Sequence, residues 1–125
     1  MNGSQGEFWA AVAECTKVLD IDPVCAEAYL LLGLLLEQQG EIDSAVRETK
    51  RAIYLDHNLP LAYFTLARLY RTSGDRRAEA RELANTARVL EAKPDLPVAS
   101  DIPVEFDRQV LLRLAQRKLA ALTSD

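Results

Sequence analysis

Gly6, Gly40 and Gly74 stand 34 residues apart, and each is followed by an acid: Glu7, Glu41, Asp75. A period of that length across a chain of 125 residues restricts it to a few units of identical build, each too small to bury its own apolar face and so obliged to stack on its neighbours. The stretch between the second and third glycines defines the unit. AEAYLLLGLLLEQQ, Ala26 to Gln39, reads as an apolar helix, and Gly40 breaks it because glycine accepts the left-handed backbone that commonly ends a helix. A second helix, from Asp43 to Leu55, carries Ala45, Val46, Ala52, Ile53 and Leu55 on one side and Arg47, Glu48, Lys50 and Arg51 on the other.

The period extends in both directions. AEAYLLLGLLLEQQG aligns with PLAYFTLARLYRTSG, placing Tyr29 over Tyr63, Leu32 over Leu66, Gly33 over Ala67 and Leu36 over Tyr70. The helices after the glycines end comparably, in LDIDP at Leu19 to Pro23, YLDHN at Tyr54 to Asn58 and VLEAKP at Val89 to Pro94. The reading is a half unit over 6–25, which holds only the second helix, a full unit over 26–59, and a full unit over 60–93. In the last of these Ala80, Ala84 and Ala87 imply a one-residue shift after the turn. The half unit expects Ala11, Cys15, Val18 and Leu19 inside, and uncovered apolar surface near Phe8 and Trp9. Such a start suggests a chain cut from a longer protein. Pro94, Pro97 and Pro103 make 94–106 an extended loop. A last helix over 107–122 carries Val110, Leu111, Leu114, Leu119 and Leu122 as one stripe, either to cap the array or to fold back into it.

The aromatic with Leu-Gly four residues on, the Gly-acid turn, alanine in the following helix and Asp-Pro at the end resemble the tetratricopeptide repeat. The resemblance implies an all-α fold, a right-handed superhelical solenoid of antiparallel helix hairpins with a C-terminal capping helix. Longer pieces, LLLGLLLEQQGE at Leu30 to Glu41, RAIYLD at Arg51 to Asp56, LAYFTLARLYR at Leu61 to Arg71 and VASD at Val98 to Asp101, are similar to the tetratricopeptide tail of CheR-type chemoreceptor methyltransferases of bacteria. That second resemblance implies a regulatory or targeting module in chemotaxis, with the S-adenosylmethionine chemistry lying in a parent enzyme outside these residues.

The tetratricopeptide resemblance also implies where a partner sits, since the first helices of successive repeats line a concave groove. Carried over by position, the groove residues are Glu27, Leu30, Leu31, Leu34, Glu37 and Gln38 from the second unit, with Leu61, Phe64, Thr65, Arg68, Arg71 and Thr72 from the third. Leu30, Leu34 and Thr65 occupy positions where a clamp for a C-terminal carboxylate needs polar groups, so that chemistry is disfavoured. One apolar wall and one basic wall suit an amphipathic, partly acidic helix or peptide. That partner would be a chemoreceptor, another signalling protein or the parent's own catalytic domain. Leu30, Leu31 and Leu34 equally fit a core, or a face covered by the last helix. Each leucine left in water forgoes about 1.5–3 kcal/mol, so something should cover them.

Charge narrows the partner further. The net charge of −4 argues against nucleic acid and anionic membrane surfaces. Ten acids against four bases up to Leu59 give way to four against seven from Pro60 to Lys93, a pointer to an acidic partner near the second half. Catalytic candidates are thin. His57 reads as a surface turn residue, Cys15 as a small buried hydrophobe, Cys25 as a turn thiol without an adjacent cation, and Asp20 and Asp22 as turn and capping residues. Two cysteines and one histidine build no metal set, and with no strand ahead of a Gly-rich loop no cofactor site is expected. The chain is expected to be a non-catalytic cytoplasmic interaction module. Self-association through the half unit, giving a homodimer, is the alternative.

Overall fold

The computed structural model describes residues 3–92 and 108–123. The loop expected over 94–106, and with it the VASD stretch, lies outside them. Among the described residues there are six helices and no strand: α1 (Gly3–Ile21), α2 (Ala26–Gln38), α3 (Ile42–Leu55), α4 (Pro60–Ser73), α5 (Arg76–Ala92) and α6 (Arg108–Thr123).

Local chemistry sets the turns. Gly40 and Gly74 adopt φ of 79° and 82°. At the first, the Gly40 N–H donates to Glu37 O and the Glu41 N–H to Leu36 O; at the second, Gly74 donates to Arg71 O and Asp75 to Tyr70 O. Both are Schellman closures, and the glycine is needed because a Cβ disfavours the left-handed backbone. Gly6 differs. It lies in the first turn of α1 with no positive φ, because the chain does not reverse there. The turns opposite are built on aspartate: Asp22 Oδ1 accepts from the Val24 N–H, and Asp56 Oδ1, 34 residues on, accepts from Asn58. Asp75 caps α5 by accepting from the Ala78 N–H, and Pro60 opens α4 where its missing N–H costs nothing.

Packing runs sequentially, each helix against the next, from α1 on α2 to α5 on α6. Gly33 sets the closeness of α2 and α3, since a Cβ there would overlap Thr49 Oγ1 and press on Ala45 O. Among the buried residues of α5, Glu79, Leu83 and Thr86 each stand 34 positions after Ala45, Thr49 and Ala52, which are buried too. Of the alanines that imply a one-residue shift, Ala87 is buried and Ala80 half-buried. Ala84 is exposed, because large Leu83 rather than an alanine fills the space between α4 and α5.

The main core includes Leu30, Ala52, Leu61, Phe64, Leu83, Leu90, Leu111 and Ala115, and so draws on each of α2 to α6. The last helix caps the array by lying antiparallel on α5: Arg108 Nη2 donates to Leu90 O at 2.8 Å, and Arg76 Nη2 to Leu122 O at 3.4 Å near the other end. At the opposite end α1 packs chiefly on α2 among the described residues. Phe8 and Cys15 are buried, but Val18, expected inside, is exposed at the rim of the α1–α2 cleft, and Trp9 is 63% exposed.

Candidate partner-binding groove

Among the described residues, side chains of α4, α5 and α6 line one groove, and those of α1 and α2 line others. The twelve residues assigned to the groove do not share one place. Leu30, Leu61 and Thr65 are core, at 0–1% exposure, and Phe64 is nearly so. They are corrections to the expected groove wall: α4 sits close enough to α2 and α5 to cover them, and Thr65 Oγ1 ends up buried without a hydrogen bond. Leu34 is half-buried against that core.

Glu27 and Leu31 turn instead towards α1, where with Cys15, Val18, Cys25 and Ala28 they line an apolar cleft of about 190 Å³. Gln38 lies at a second α1–α2 cleft beside Phe8 and Leu35. Thr72 is exposed but donates its hydroxyl to Arg68 O, within its own helix.

The basic wall also differs from expectation. Arg68 Nε and Nη2 donate to the two carboxylate oxygens of Glu37 at 2.5 and 2.7 Å, and the guanidinium lies 6.0 Å from the Phe64 ring centre. A bidentate pair of this kind is neutral to an approaching ligand. Arg71 is exposed and stands at a pocket with Phe64, Ala67, Leu83, Glu79 and Lys118. A wider opening continues from it, lined by Leu114, Arg117 and Leu122 of α6. Of the expected residues the structure thus gathers Phe64, Arg68 and Arg71 at one place. It adds Ala67, Glu79, Leu83 and the α6 side chains, which the sequence reading missed. Glu79 was detectable, as the acid standing 34 positions after the buried Ala45; α6 falls outside the repeat and offered no such signal.

Burial pushes the Cys15 thiol above its ordinary 9.0, with smaller upward pushes from Cys25 and Glu14, which is the opposite of activation. His57 is exposed in a turn, and its carbonyl accepts from Tyr63 Oη at 3.0 Å. Among the described residues no three His, Cys, Asp or Glu side chains are placed to hold a metal, and no helix is long and apolar enough to cross a membrane.

Stacked antiparallel helix pairs with a Schellman-closed turn every 34 residues and an inner groove define a tetratricopeptide-like helical scaffold. The tetratricopeptide repeat family model matches residues 26–58, the α2–α3 hairpin and its exit turn. Two solved structures share the fold. PcrH in complex with the chaperone-binding region of PopD is 19% identical, with 97% of this chain and 82% of that one covered at a TM-score of 0.77. The type III secretion translocator chaperone SycD of Yersinia enterocolitica is 16% identical, with 97% and 75% covered at 0.76. No curated protein matches the chain in sequence.

Proposed function

We propose that the chain holds a segment of a partner protein in its inner groove and acts as a binding scaffold. The observation that carries this reading is apolar surface together with charge on a helical frame, in half-buried Leu34 of α2 and in the pocket beside Arg71 between α4, α5 and α6. The fold neighbours add support: one is a translocator chaperone and the other was solved with a partner's chaperone-binding region. A chaperone-like or adaptor role for this chain follows by that analogy. The test is selection of displayed random peptides on the whole chain, with Leu34→Glu as the counter-target and its helicity checked by circular dichroism. Peptides that bind the wild type and lose a folded Leu34→Glu support the reading; peptides indifferent to it place binding elsewhere.

The likeness to methyltransferase tails concerns the parent protein and rests on the quoted motifs alone. A methyltransferase coding region directly upstream would establish it, and an unrelated one would remove it.

Trp9 favours a second reading, self-association of α1. It is exposed at 63% with its ring edge-on to buried Phe8 at 5.1 Å, an apolar ledge beside Ala10 and Ala13. A strict monomer by light scattering across a wide concentration range would sink this reading and leave the first intact.

A further inference from the structure

The end of the groove formed by α4, α5 and α6 has an electrostatic character unlike the rest of the chain. Arg71, Arg117 and Lys118 face it, and among the described residues none of the three makes an ion pair. Arg68, the remaining cation there, is neutralised by Glu37. Three cations against Glu79 leave this end at +2 on a chain whose net charge is −4. A concave wall concentrates such a field and draws anionic groups to it.

Glu79 supplies an independent indication. It is only 6% exposed, lines both openings, and its carboxylate accepts no hydrogen bond from the described protein. Its carboxylate oxygens still reach the opening, so a donor brought by a ligand can meet them. The preceding repeat places Ala45 at the same position, so the stack does not need an acid there.

We propose that this end of the groove is a subsite for an acidic peptide segment of a partner protein, whose carboxylates pair with Arg71, Arg117 and Lys118 while one of its N–H groups donates to Glu79. Apolar side chains of the segment rest on the half-buried Leu114 and Leu122. The inference rests on the groove reading above and assigns the partner's chemistry and the contribution of α6, which lies outside the repeat.

Fluorescence anisotropy of the full chain with labelled short peptides tests it, one with leucine between glutamates, one with the glutamates replaced by lysine. The acidic peptide should bind at least about tenfold more tightly than the basic one, and weaken as salt rises from about 50 to about 300 mM. Arg117→Glu with Lys118→Glu should weaken it by at least about tenfold, whereas Arg47→Glu with Arg51→Glu, the same change in net charge on α3, should alter it by less than about twofold. Glu79→Ala should weaken it as well; tighter binding would show that the carboxylate only repels and would overturn its assignment. Equal or stronger binding of the basic peptide, or no binding of either, overturns the subsite. Binding that ignores the α6 reversal yet vanishes in Leu34→Glu overturns the subsite while leaving the groove reading standing.

Discussion

Arg68 on α4 and Glu37 on α2, 31 residues apart, close a bidentate pair at 2.5 and 2.7 Å that ties one helical unit to the next. The arginine side chain is 39% exposed and the glutamate 19%, so solvent screening limits what the pair contributes. In a double-mutant cycle of Arg68→Ala and Glu37→Ala followed by urea unfolding, we expect a coupling of about 1 kcal/mol that shrinks with added salt. A coupling indistinguishable from zero would mean that the pair is merely adjacent in space.

Gly33 and Thr49 set the approach of α2 to α3. Gly33→Ala should cost about 1–3 kcal/mol, because its methyl group overlaps Thr49 Oγ1 in a filled interface. Thr49→Ala alone should be nearly neutral, since that hydroxyl is buried without a partner. Combining the two should recover a substantial part of the Gly33→Ala loss in thermal unfolding. A double variant as unstable as the sum of the singles would contradict this account.

Alkaline pH should weaken the fold. Burial raises the Cys15 thiol above 9.0, and it raises Tyr63 above 10.0 against a smaller opposing pull from Arg88. Both groups hold their protons more tightly folded than unfolded, so their contribution is full below pH 9 and is lost as pH climbs through the raised values. Tyr63 also loses the hydrogen bond it donates to the His57 carbonyl. Urea midpoints measured upwards from pH 8 should fall, and fall less in Cys15→Ala; identical slopes for the two proteins would exclude the thiol.

The two thiols should separate kinetically. Cys15 is buried and its ionisation suppressed, whereas Cys25 is only half-buried at the start of α2. With an aromatic disulfide reagent at neutral pH, we expect Cys25 to react first and Cys15 only as the chain opens. Simultaneous reaction of both would show that α1 detaches readily from α2.

Much of the fold was legible because it depends on short-range chemistry. Gly40 and Gly74 demand the same left-handed turn, Asp22 and Asp56 build the same side-chain turn, and both pairs keep the 34-residue register. Gly6 shared the spacing without the conformation, since glycine permits a positive φ but only a reversing chain requires one. The groove was legible only in part. Arg68 and Arg71 of α4 do meet at one pocket, but Glu27, Leu31 and Gln38 of α2 face α1, and whether Leu30 or Thr65 meets water depends on how far the neighbouring helix covers it. Arg68 reads as part of a basic wall, because its partner Glu37 lies in another unit.

The sequence by itself determined an all-helical array, its repeat length and its turns, because each follows from backbone preferences and apolar periodicity within a few residues. The tertiary structure alone decided which leucines are core, that Arg68 is already neutralised, and that Arg117 and Lys118 of α6 join Arg71 at one end of the groove. Those outcomes depend on distances and rotations between helices, where a shift of a few ångströms exchanges water for a neighbouring side chain and a paired charge for an open one.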